Sequence, residues 1–210
     1  ADIQEVFDLG LYGIALSRFS GAWVGYKLLP ETIETAASIR ADYSHIQIAY
    51  PEFEFPEDGV NSRAGDMWFN QELRIRRYKL PAAIAFARAN KLNRISHDTP
   101  HSRFGIAAMG KTWRDTLQAL AELGIDDGML KSLGIRILKV AMPFPVDVET
   151  YREFSGGLEE ILVIEDKREQ IENAIRRVCY DLPVDQRPRL VGRHDESGRI
   201  LVDDVGDLNA

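Results

Sequence analysis

Between residues 103 and 180 one pattern recurs three times: a short, largely apolar run, then a stretch with helical spacing. The runs are 103–109, 135–141 and 160–164, and Ile161-Leu162-Val163-Ile164 is the clearest of them. A strand buried on both faces reads as a continuous hydrophobic run, because helices cover both sides of a parallel sheet. Repeated strand–helix units return each strand parallel to the last through right-handed crossovers. The pattern therefore predicts an α/β fold: a three-layer open sheet, mostly parallel, with helices on both faces. Helices are expected at about 112–123, where Trp113, Leu117, Leu120 and Ala121 share a face, and at 126–132. Two more are expected, one from Asp147, a candidate N-cap, through Phe154, and one over 167–180.

The flanks are less regular. Residues 2–19 have helical spacing through Val6, Leu9 and Leu16, although Gly10 and Gly13 weaken it. Residues 22–29 and 45–50 read as strands, and Pro30 opens a short helix to about Ser38, so this part is expected to be a partial α/β segment. Pro51, Pro56, Gly59 and Gly65 mark a linker over 51–65. Residues 66–92 are helical in pattern with Pro81 inside, so either the helix kinks or two helices abut near Leu80. Residues 189–202 suggest a β-hairpin turning at Asp195-Glu196-Ser197-Gly198. The resulting division is 1–60, 61–182 and 183–210, with both ends read as cuts through a longer polypeptide.

A composition of 45% hydrophobic and 28% charged residues supports a packed core. The net charge of −7 argues against broad nucleic-acid binding, since no positive field displaces counterions from phosphates. The local exception is Arg74, Arg76, Arg77 and Lys79, a solvated helix face or a docking point for an acidic partner. No run is long enough for a membrane span, and the compartment is expected to be cytoplasmic. The single cysteine, Cys179, lies in phase with Ile171 and Ile175 and reads as a small buried residue.

One motif invites a different conclusion. Gly105-Ile106-Ala107-Ala108-Met109-Gly110-Lys111-Thr112 fits G-x-x-x-x-G-K-[ST], and Glu165-Asp166 ends a later strand as a magnesium-binding acid would. A phosphate-cradling loop needs free backbone N–H groups between its glycines. Here the spacers are apolar and read as the strand itself, which leaves only Gly110, Lys111 and Thr112 for a turn. The same three residues are candidates for an anion or coenzyme A contact, with Thr112 as a possible helix cap. A nucleotide-binding protein using Lys111 and a non-catalytic α/β interaction module stay open as alternatives. Glu165 and Asp166 are expected to cap the following helix. His97, Asp98 and His101 are metal ligands by type but read as a polar loop, and no metal site is expected.

Several stretches together resemble the alpha subunit of indolepyruvate ferredoxin oxidoreductases. These are Ala87-Arg88-Ala89-Asn90-Lys91-Leu92-Asn93-Arg94-Ile95, then Gly105 through Asp115, Ile137 through Pro145, and Leu162 through Arg168. Leu11-Tyr12-Gly13 and Ser17 through Gly25 resemble the end of that family's pyrimidine-binding domain. The resemblance implies that 1–60 is the C-terminal edge of that domain and that 61–182 is a transketolase-C-terminal-like domain. It implies an enzyme that oxidatively decarboxylates arylpyruvates or other 2-oxoacids to acyl-coenzyme A. Thiamine diphosphate with magnesium would be its cofactor, and iron–sulfur clusters would pass electrons to ferredoxin. The partners would be the remaining domains or subunits of an oligomer. Ser17, Arg18 and Lys27 would face the substrate carboxylate or a domain boundary. The Gly-Asp-Gly motif and the cluster cysteines of the family are missing; Val205-Gly206-Asp207-Leu208 lacks the second glycine. No cofactor is therefore expected to bind this chain alone, and no residue of it is expected to be catalytic.

Overall fold

A computed structural model describes residues 2–206 and 208. The chain forms two compact units, Ala1–Leu92 and Asn93–Ala210. The division falls after Leu92, because the helix over 80–89 packs against the first helix.

In the first unit, α1 (Ile3–Ser20) begins where the Asp2 carboxylate accepts the Glu5 N–H at 2.8 Å. It stops at Gly21, whose φ of 68° is left-handed and whose N–H returns to the Ser17 carbonyl at 2.9 Å. A short α2 (Pro30–Ile33) follows, shorter than expected. Then come α3 (Trp68–Arg74), a π turn at Ile75–Lys79, and α4 (Leu80–Ala89). The Leu80 N–H reaches back five residues to the Ile75 carbonyl, so the π turn absorbs the bond that Pro81 cannot donate and neither helix ends. Ala82, Ala83, Phe86 and Ala87 of α4 are buried, as are Ala15 and Leu16 of α1. Phe19 gathers Phe55 and Phe86 at ring distances of 5.3 and 5.7 Å, with Tyr50 and Phe53 beyond.

The strands expected at 22–29 and 45–50 do not form; both stretches lack any ladder. A strand is stabilised by a neighbour, and this unit offers none. The Ala49 N–H and carbonyl bind the Asn90 side chain instead, each at 2.8 Å. This part is therefore helices and extended chain, not an α/β segment. Of the basic cluster, Arg74 is pinned by Asp58 and by Asp66 at 3.3 Å, and Arg76 pairs with Glu72 at 2.8 Å.

The second unit is the expected open sheet. Its five strands are β1 (Arg94–His97), β2 (Phe104–Met109), β3 (Ile135–Val140), β4 (Glu160–Ile164) and β5 (Arg189–Val191), in the order β1-β3-β2-β4-β5. Only β1 runs antiparallel, against β3; β2, β3, β4 and β5 are mutually parallel. The helices are α5 (Gly110–Glu122), α6 (Asp127–Leu133), α7 (Val148–Ser155) and α8 (Gln170–Tyr180). Successive strand residues point to opposite faces. Ile106 and Ile137 pack with Trp113, Leu117, Leu120 and Leu130 of α5 and α6. Ala107, Leu138, Ile161 and Val163 pack with Tyr151, Phe154, Ile171, Ile175 and Val178 of α7 and α8.

Two departures are informative. The 94–97 stretch, read as polar loop, is an edge strand paired with β3 on one side, with Arg94 exposed and the other three residues half-buried. The tail is not a separate hairpin: its first arm joins the main sheet beside β4, and among the described residues only a single bridge, His194 to Ile200, runs antiparallel. The turn between them stands as expected, with the Asp195 carboxylate accepting the Ser197 and Arg199 N–H groups and Gly198 at φ 83°. Asp207, within the incomplete Gly-Asp motif, lies outside the described residues.

Candidate functional site at the carboxyl edge of the sheet

In open α/β sheets ligands gather beyond the carboxyl ends of the strands. Those ends include Met109 of β2 and Ile164 of β4, and each of these two runs into a tightly bonded turn.

The β2 turn has no loop. Met109 is still extended and Gly110, at φ 53°, is already the first helical residue. Ile106, Ala107 and Ala108 lie in a strand paired on both sides, and the Met109 N–H meets the Thr112 hydroxyl at 3.4 Å, so a phosphate cradle has no backbone to use. Thr112 is the third residue of α5, and it caps the helix start from within the first turn, its hydroxyl accepting the Met109 N–H at 3.4 Å. It is 4% exposed, and its hydroxyl lies 2.9 Å from the Ile164 carbonyl and 3.0 Å from that of Met109. It ties the end of β2 to the end of β4. Lys111 Nζ donates to Asp115 at 2.7 Å and to the Leu208 carbonyl at 2.7 Å. Of the three anion candidates, then, one is turned inward and one is paired.

The β4 turn is closed by Glu165, which is buried. Its carboxylate accepts the N–H groups of Gln170 (3.0 Å), Ile171 (2.6 Å) and Glu172 (2.9 Å), the opening of α8. Burial pushes its pKa above the ordinary carboxylate value, and these three donors pull it part of the way back. Burial likewise raises the Tyr151 phenol, with Glu165 and Asp147 adding to it. Lys167 holds a left-handed φ of 70°. Its carbonyl accepts from Arg193, and its ammonium donates to the Gly206 carbonyl. Arg193 also meets Glu169 at 2.8 Å and Asp204 at 3.2 Å. Beneath it, Glu172 is 3% exposed and accepts the Arg193 N–H at 3.0 Å. A Cβ at Gly192 would fall 2.2 Å from that carboxylate, so a side chain there would have to displace Glu172.

Other candidates do not converge. Asp98 accepts from Arg136 (2.7 Å) and Ser102 (2.8 Å), while His97 faces Asp127 at 3.4 Å. His97 and Asp98 border a shallow cleft of about 180 Å³ at the opposite, amino end of β3. Among the described residues no three His, Cys, Asp or Glu side chains are grouped to hold a metal. The Ser17 hydroxyl donates to the Ala22 carbonyl at 2.7 Å, while Arg18 and Lys27 are exposed. Cys179 is buried in α8, which raises its thiol pKa. Sequence reading missed Lys139, 3% exposed in β3 with its ammonium 3.8 Å from the Trp113 ring centre. It also missed Arg193 and Glu172. The signal for Lys139 was its place in an otherwise apolar run.

No helix among the described residues is long and apolar enough to cross a membrane. Residues 91–206, more than half of the chain, match the family described as the indolepyruvate ferredoxin oxidoreductase middle domain. Curated relatives include the indolepyruvate oxidoreductase subunit IorA of Thermococcus kodakarensis, 32% identical over 80 residues, 38% of this chain and 11% of that protein. The IorA subunit of Methanothermobacter marburgensis is 29% identical over 93 residues, 44% of this chain and 14% of that one. The matched region thus spans roughly a tenth of these relatives' length. A solved 2-oxoglutarate:ferredoxin oxidoreductase from Magnetococcus marinus is similar over 72% of this chain and 25% of its own, at 15% identity and a TM-score of 0.38. The match over 91–206 coincides with the sheet and its covering helices, and by it the chain belongs to the indolepyruvate ferredoxin oxidoreductase family, as a bearer of its middle domain.

Proposed function

We propose that this chain is a structural, non-catalytic middle portion of an enzyme that oxidatively decarboxylates indolepyruvate or related 2-oxoacids to acyl-coenzyme A. Electrons would pass to ferredoxin, and the enzyme would be cytoplasmic and oligomeric. The first unit would include the edge of a pyrimidine-binding domain and the second the transketolase-C-terminal-like domain. The observation that carries the reading is the state of the carboxyl edge within a family-matched sheet. Glu165, Thr112 and Lys111, the groups best placed to act there, are each spent on holding a turn.

Thiamine diphosphate with magnesium would supply carbanion stabilisation in the complete enzyme, and iron–sulfur clusters would carry the electrons. The donors of this chain do not fit these groups. A cluster takes several cysteine thiolates, and the one present, Cys179, is buried in α8. No step is assigned to this chain through either cofactor.

The test is 2-oxoacid-dependent reduction of a viologen dye with coenzyme A, thiamine diphosphate and magnesium supplied. The chain alone is expected to be inert, and the assembled enzyme active. Lys111→Ala in the assembled enzyme is expected to leave the KM for coenzyme A unchanged. Turnover by the chain alone would overturn the structural reading.

A further inference from the structure

Residues 22–28 run extended beside α1, and the two fit together residue by residue. The Ser17 hydroxyl donates to the Ala22 carbonyl at 2.7 Å. A Cβ built on Gly13 would lie 3.5 Å from Val24, and one on Gly10 would lie 3.9 Å from the Tyr26 ring. The Tyr26 phenol donates to the Val6 carbonyl at 3.0 Å. As the segment steps forward through 22, 24 and 26, the helix steps back through 17, 13, 10 and 6. The segment is therefore antiparallel to the helix, with the two-residue alternation of a β-strand. The two glycines that weaken α1 as a helix form the seat for Val24 and Tyr26.

The other face is bare. Trp23 is 100% exposed, Lys27 is exposed, and nothing lies within 4 Å of a Cβ built on Gly25. The backbone N–H and carbonyl groups of residues 23–28 make no hydrogen bond to any described residue. Trp23, Val24 and Tyr26 favour strands, yet a strand without a neighbour gains nothing from its ladder groups. A strand with one face on a helix and both edges free is half of an α/β layer.

We propose that residues 23–28 are an open sheet edge that receives a β-strand of the adjoining α/β domain of the assembled oxidoreductase, through a backbone ladder that buries Trp23. The proposal rests on the reading of this chain as part of that enzyme. The relatives supply material for such a partner, since the matched region is only 11% of the Thermococcus subunit. Strand addition to an exposed edge takes its affinity from main-chain bonds and its register from alternate side chains. The outward Trp23 offers such an anchor, with Gly25 leaving room for close approach.

Hydrogen–deuterium exchange, read on peptides covering 22–29, tests it in the chain alone and in the assembled enzyme. In the chain alone these amides are expected to exchange at nearly free rates at every protein concentration. In the assembled enzyme the rates should fall by about a hundredfold or more, as for a strand inside a packed sheet. Trp23→Lys should leave the unfolding of the isolated chain unchanged, because the ring touches nothing there, and should abolish the protection gained on assembly. Fast exchange in an assembled enzyme that turns over 2-oxoacids would overturn the strand addition and leave the functional reading intact. Protection in the chain alone that grows with concentration would also overturn it, in favour of pairing between two copies. Protection in an assembly that does not oxidise 2-oxoacids would support the strand addition and sink the functional reading.

Discussion

Glu165 is where the fold and its chemistry can be separated by a single pair of substitutions. Glu165→Ala removes the acceptor for three N–H groups at the start of α8, two of them in buried bonds. Losing a helix cap costs about 0.5–2 kcal/mol, and each N–H left buried without a partner adds about 1–3 kcal/mol. Water reaches the more exposed Gln170 end, so the net loss should be about 3–4 kcal/mol. For a unit of this size that is a fall of roughly 10–20 °C in midpoint. Glu165→Gln should lose about half as much. Its remaining oxygen can serve Gln170 and Ile171, while its amide group opposes the Glu172 N–H. The assay is urea unfolding followed by near-ultraviolet circular dichroism of the second unit, with the midpoint read at constant slope. The pH dependence has a definite sign. Because burial raises this carboxyl in the folded state, folding retains its proton more tightly than the unfolded chain does. Its contribution to stability is thus full below the ordinary value of 4.5 and declines as pH climbs through the raised folded value. Glu165→Gln cannot titrate, so that part of the decline should vanish. A loss below 1 kcal/mol in the alanine variant, or an unchanged pH slope in the glutamine variant, would refute the reasoning.

Two further expectations concern packing and polarity. In Gly105→Ala the new methyl would stand 2.6 Å from Leu158 Cδ1 and 2.8 Å from Phe154 Cζ, inside the core of the central strand; overpacking should cost about 1–3 kcal/mol. Adding Leu158→Ala should cost less than it does in the wild type, and strict additivity in that double-mutant cycle would count against the contact. Asn93 accepts the Ala141 and Met142 N–H groups at 2.9 and 2.8 Å and donates to the Met142 carbonyl at 2.9 Å. Asn93→Asp keeps both acceptor bonds but turns an acid oxygen on that carbonyl, so at neutral pH it should destabilise by about 2–4 kcal/mol. Recovery of much of that loss at low pH, where the acid can donate, is the check.

The middle of the chain could be read because its strands are buried on both sides. Ile161–Ile164 and Phe104–Met109 carry their burial as composition, and the helices between them carry theirs as spacing. What failed was whatever depends on a neighbour. Residues 22–29 have the composition of a strand, but strand formation is a property of a pair, and the pairing partner cannot be read from the segment. The edge strand 94–97 failed in the opposite direction, since three of its four residues are polar although only Arg94 is exposed. Thr112 was legible in part. As its place near a helix start suggests, it takes the Met109 N–H, but its hydroxyl also reaches Ile164, fifty-two residues along the chain.

The P-loop pattern shows how geometry decides what a motif can do. An eight-residue match is a statement about residue types, and a phosphate is held by backbone directions. In this sheet β2 lies between β3 and β4, so Ile106, Ala107 and Ala108 are paired on both sides, and the Met109 N–H is taken by the Thr112 hydroxyl. The helix then starts at Gly110 with no intervening loop, and the lysine side chain pairs with Asp115 within its own helix. At β4 a glutamate already occupies the N-terminal donors of α8, so an anion arriving there would have to displace an acid that three N–H groups hold. Both turns have traded the usual ligand position of an α/β sheet for internal bonds. That trade is what a domain needs if its part in an enzyme is to hold its neighbours in place.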